Sequence, residues 1–74
     1  MKIHSSITSS RVTDVVQENM FGLSTTGICI ACGDEREGCE PDARKYECFS
    51  CGKHLVFGAE ELLIAGAYHD VRLN

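Results

Sequence analysis

Tryptophan is missing from this 74-residue chain, which also has one proline, two tyrosines and three phenylalanines. So few large side chains limit the core, and at this size burial alone supplies only about 3–5 kcal/mol. Basic residues are scarce as well, with seven Lys and Arg against eleven Asp and Glu for a formal charge of −4. No basic patch stands out, which counts against tight binding to a phosphate backbone. No apolar stretch approaches the roughly 18–20 residues of a membrane span. Met1 to Thr8 lacks the apolar run of a signal peptide, so the expected setting is cytoplasmic, with no membrane partner.

Cysteine is what the chain does have. Four of its five cysteines form two matched pairs, Cys29-Ile30-Ala31-Cys32-Gly33 and Cys48-Phe49-Ser50-Cys51-Gly52, separated by 15 residues. Each pair can turn two thiolates onto one ion, and the spacing fits a four-cysteine zinc pattern. In a reducing compartment an odd cysteine count with two close pairs favours metal over a disulfide framework. Structural zinc binding contributes on the order of 10–16 kcal/mol, enough to decide folding in so small a chain. Four thiolates and one dication would move the net charge from −4 to about −6.

The chain reads as a single domain over residues 1–74. Ile3, Ser5 and Ile7 alternate as in a short strand or an arm. Ser9 and Ser10 offer hydroxyl caps to an amphipathic helix over 9–21, with Val12, Val15, Val16 and Met20 on one face and Gly22 as its stop. Leu23 to Gly27 reads as a polar connector and the chain's hinge. Residues 27–57 read as a zinc ribbon with strands at 35–40, 45–48 and 54–57 and a reversal at Pro41-Asp42. Gly33 and Gly52 would take positive φ, aiming amide N–H groups at thiolate sulfur. A short helix over 59–65 follows, stopped by Gly66. The expected class is therefore a small metal-stabilised α+β domain, a three-stranded antiparallel ribbon flanked by two helices.

Cys29, Cys32, Cys48 and Cys51 are the predicted tetrahedral ligands. Four protein ligands leave no open position for water or substrate, so the expectation is a structural site and no enzyme. Cys39 reads as a free, semi-buried thiol, and His54 as the first residue of a strand and not a fifth ligand. His4 and His69 have no partner at ligand spacing. Glu60 and Glu61 suit the start of a helix as solvated charges and carry no sign of a catalytic pair. Residues 67–74 read as a tail that frays. Iron is the competing ion, since rubredoxins hold it with two similar turns, but their inter-pair segment is longer and richer in aromatics than this one.

Together, the two C-x-x-C-G turns, Glu40-Pro41-Asp42-Ala43-Arg44, Tyr46-Glu47-Cys48 and Gly58-Ala59-Glu60-Glu61-Leu62 resemble a family of small zinc-ribbon proteins of bacteria and their phages. The likeness covers roughly half the chain, from Cys29 to Ile64, and implies fold and metal but no activity. Members commonly carry an aliphatic residue where Cys39 stands, which suits a non-ligand. Three roles then compete. The favoured one is a protein-interaction module presenting Arg44, Lys45, Tyr46 and Phe49. The second is a nucleic-acid adaptor that stacks bases on Tyr46 or Phe49. The third, least favoured, is a thiol-redox or iron protein.

Overall fold

The computed structural model describes residues 3–22 and 24–69. In chain order the elements are α1 (Ser9–Met20), β1 (Thr26–Cys29), β2 (Glu35–Glu37), β3 (Val56–Gly58) and α2 (Ala59–Ala65). The sheet is antiparallel with order β2-β1-β3, and Gly27 lies opposite Arg36 on one side and Gly58 on the other. This is the expected class, two helices on a three-stranded antiparallel sheet. Among the described residues no helix is long and apolar enough to cross a membrane.

Helix α1 is capped one residue earlier than the serines suggest. Thr8 is extended, and its hydroxyl accepts from the Arg11 amide at 3.2 Å. Val12, Val15 and Val16 are buried at helical spacing, and the chain turns away at Gly22 with φ 75°. Met20 departs from the pattern, being 76% exposed. The inward position on that last turn belongs to Asn19. Its amide group donates to the Thr26 carbonyl and the Glu60 carboxylate, while its oxygen accepts from the Thr26 amide and the Ser24 hydroxyl. One polar side chain thus ties α1 to β1 and α2.

The strands differ from expectation in four places. The segment expected to be a hinge contributes Thr26 and Gly27 to β1, the central strand, whose four residues are all buried. Leu23 lies outside the described residues. Gly27 sits where a Cβ would meet the Phe57 carbonyl oxygen at 2.8 Å and the Cys39 sulfur at 2.9 Å, so close packing selects this glycine. The expected strand at 45–48 reduces to one antiparallel bridge, Tyr46 with Val56. Lys45 takes φ 57°, which no extended strand allows, and β2 ends at Glu37 because Gly38 takes φ 79°. His54 and Leu55 precede β3 and are not part of it.

Two clusters of buried residues lie on the two faces of β1, because successive strand side chains alternate. Ile28 joins Ile7, Val12, Val15, Val16, Ile30, Ala59 and Leu62 under the helices. Cys29 joins Cys39, Ala43, Cys48 and Val56 on the other face. The first cluster is aliphatic and the second is largely sulfur. Their edges are tied by the reversal. A Cβ on Gly58 would meet the carbonyl oxygens of Pro41 and Glu40 at 2.5 and 2.6 Å, the Gly58 amide donates to Ala43, and Arg44 pairs with Glu61 at 2.7 Å. The reversal and the glycine that leads α2 therefore form one docked unit.

Residues 3–8 form an arm and no named strand. The His4 amide donates to Ile30, and Ile7 is fully buried. His69 fastens the far end of the chain to that arm. Its amide donates to Ile7, its carbonyl accepts from Ser9, and its ring Nε2–H donates to Ile3. Of the expected frayed tail, residues 70–74 lie outside the described residues. Asn19→Ala strands the Thr26 amide and removes the link to Glu60. We expect it to cost about 1–3 kcal/mol, read as a lowered midpoint in denaturant unfolding of the metal-loaded protein. A midpoint unchanged from wild type would contradict the role given to Asn19.

Candidate metal centre

Both cysteine turns are built by the same hydrogen bonds. Cys29 N donates to Asp34 O and Gly33 N to Cys29 O, each at 2.8 Å; Cys48 N donates to Lys53 O and Gly52 N to Cys48 O, again at 2.8 Å. Gly33 and Gly52 close the turns with φ 84° and 78°, as their position after each pair predicts. The closed turns aim amides at sulfur. Ala31 and Cys32 N–H groups reach the Cys29 sulfur, Asp34 N–H that of Cys32, and Ser50 and Cys51 N–H groups that of Cys48.

Strand β1 delivers Cys29, and the Tyr46–Val56 bridge holds the second turn over it. The four sulfurs of Cys29, Cys32, Cys48 and Cys51 all lie within 4.8 Å of one another. Cys29 faces Cys51 at 3.8 Å and Cys32 faces Cys48 at 3.6 Å, across the two turns. These cysteines are positioned to bind a metal ion, and four soft donors at tetrahedral-edge spacing suit zinc or iron.

Electrostatics point the same way. Burial pushes the Cys29 thiol up, although the Cys32 and Ala31 amides oppose it. The Asp34 amide favours the Cys32 thiolate, but desolvation and the neighbouring sulfurs outweigh it and push that thiol up to about 12. The Cys51 amide brings Cys48 down to about 7. A cluster of this kind does not hold four anions by itself. Four thiolates at this spacing need a cation among them.

Other residues from the sequence reading fall away from the site. Cys39 is more deeply buried than expected, at 2% exposure, where burial raises its thiol; its sulfur lies 3.5 Å from the Arg36 carbonyl. His54 is exposed and is not among the clustered donors. Glu60 and Glu61 are half-buried and not solvated, contrary to the helix-charge reading. Each carboxylate holds the fold instead, Glu60 accepting from Asn19 and Glu61 from Arg44.

Two features had no signal in the cysteine spacing. The first is a cover over the first turn. Arg11 donates to the Gly33 carbonyl at 2.6 Å and to Ser6 Oγ at 2.9 Å, and pairs with Glu35 at 3.2 Å. Ser6 and His4 close over Gly33, where a Cβ would collide with both. The second is a cation–aromatic group beside the second turn. The Arg36 guanidinium lies 4.2 Å from the Phe49 ring centre and 5.4 Å from that of Tyr46, and Nη1 donates to the Glu47 carbonyl at 2.6 Å.

Raised thiols must lose protons when an ion binds, so loading at neutral pH releases protons and affinity falls as pH falls. We expect weaker metal binding at pH 6 than at pH 8, read by competition with a chromogenic chelator. Affinity that does not change with pH would exclude thiolate ligation. Among known proteins the chain matches no family model, no curated protein and no solved structure.

Proposed function

We propose that Cys29, Cys32, Cys48 and Cys51 hold one zinc ion as a closed structural site in a small cytoplasmic, non-enzymatic interaction module. The convergence of four sulfurs within 4.8 Å is the observation behind the zinc reading. The resemblance to small zinc-ribbon proteins of bacteria and their phages supports the same assignment. Among the buried described residues of the sulfur-rich cluster, Val56 is the one aliphatic larger than alanine, with half-buried Leu55 and Tyr46 packed at its edge. Without an ion that half has little apolar surface to hold it.

The interaction role rests on the tip of the second turn. Phe49 is 76% exposed, and Lys45, Arg44 and half-buried Tyr46 lie on the same stretch of chain. An aromatic anchor on a rigid turn is the usual centre of a protein interface. The Arg36 stack on Phe49 and Tyr46 favours nucleic acid as a second reading, because such a platform also accepts a base. The acidic balance of the chain weighs against it.

Metal analysis of the purified protein should give one zinc per chain. Chelation or Cys48→Ser should unfold at least the sulfur-rich half, read by loss of dispersed amide resonances from residues 29–57. A red, redox-active protein would replace zinc with iron, and a folded, metal-free protein would end the proposal. Phe49→Ala should leave metal content and folding intact. It should abolish specific capture of a protein partner from host extract relative to wild type. Salt-sensitive binding to single-stranded oligonucleotides, lost in the same variant, would instead select the nucleic-acid reading.

A further inference from the structure

The two cysteine turns share their internal bonding but not their surroundings. The first lies under the arm and α1, with Arg11 on the Gly33 carbonyl and Ser6 and His4 pressed on Gly33. Among the described residues the second has no comparable cover, only Arg36 stacked on Phe49 at its edge. Phe49, Ser50, Cys51, Gly52, Lys53 and His54 are all exposed, and a Cβ on Gly52 would meet nothing within 4 Å. Of the four clustered cysteines, Cys29 and Cys48 are buried, Cys32 is half-buried and Cys51 alone is exposed.

We propose that Cys51 is a peroxide-sensitive ligand whose oxidation opens the metal centre. This rests on the four-thiolate zinc reading and assigns a regulatory chemistry to the same site. Exposure governs which thiolate an oxidant reaches; Cys29 and Cys48 are buried, and Cys32 is half-buried in the covered first turn. Hydrogen peroxide transfers one oxygen to the Cys51 thiolate, the O–O bond breaks, and hydroxide leaves, giving a sulfenic acid. A neighbouring ligand thiolate, all of which lie within 4.8 Å, attacks that sulfur and expels a second hydroxide. Two thiolates have then been oxidised to one disulfide, and one peroxide has been reduced to two hydroxides. Two thiolates remain, too few to retain the ion in a tetrahedral site.

The test uses the full chain, first analysed for metal and then titrated with hydrogen peroxide. Remaining thiols are alkylated in denaturant and mapped by peptide mass, while released zinc is followed with a chromogenic chelator. We expect Cys51 to be lost about fivefold faster than Cys32, with zinc release tracking it and Cys39 staying reduced. Arg11→Ala, which uncovers the first turn, should narrow that gap. Equal loss of Cys32 and Cys51, retention of zinc after Cys51 is oxidised, or an unchanged gap in Arg11→Ala would each overturn the proposal. A chain that neither contains nor takes up zinc defeats the zinc reading instead, so the two failures are distinct.

Discussion

Four sulfurs brought within 4.8 Å are a constraint the chain cannot satisfy by packing alone. Thiolates repel, thiols desolvate poorly, and the amides aimed at them stabilise charge they cannot fully neutralise. A cation among them would convert that repulsion into a tie between β1 and the second cysteine turn. The sulfur-rich side has few other sources of burial. Its buried residues are three cysteines, Ala43 and Val56, which offer little apolar area without the metal.

The helical side is built on different terms. Ile7, the three valines of α1, Ile28, Ile30 and Leu62 form an aliphatic core of ordinary kind, closed at one edge by Asn19. The halves meet at β1 and again where the reversal docks on Gly58 and Arg44 reaches Glu61. Residues 40–44 and 58–62 are far apart in sequence but in contact in the fold. A side chain at Gly58 or a displaced carbonyl at Pro41 would break the same seam.

Much of this was legible in the residues. Pair spacing and the two following glycines indicated the sulfur cluster, and valine spacing located α1 to within a residue at each end. The central strand was not legible, because Thr26-Gly27 reads as a connector, and its burial comes from contacts with Phe57 and Cys39 far along the chain. The apparent strand at 45–48 failed because a single residue, Lys45, turns left-handed. Met20 fits the apolar face by period, but period alone does not show that Asn19 makes four inward hydrogen bonds on that turn. The cover over the first turn depends on Arg11 reaching residues 22 and 24 positions away, and no local pattern announces such contacts.

Alternation along β1 has one further effect. Ile28 and Cys29 point to opposite clusters, so threading this strand one residue out of place would drive isoleucine into the sulfur site and a thiol under the helices. Such a chain would present three donors and capture the ion poorly. An ion bound there would therefore discriminate between the two registers, because only the correctly aligned strand presents all four sulfurs.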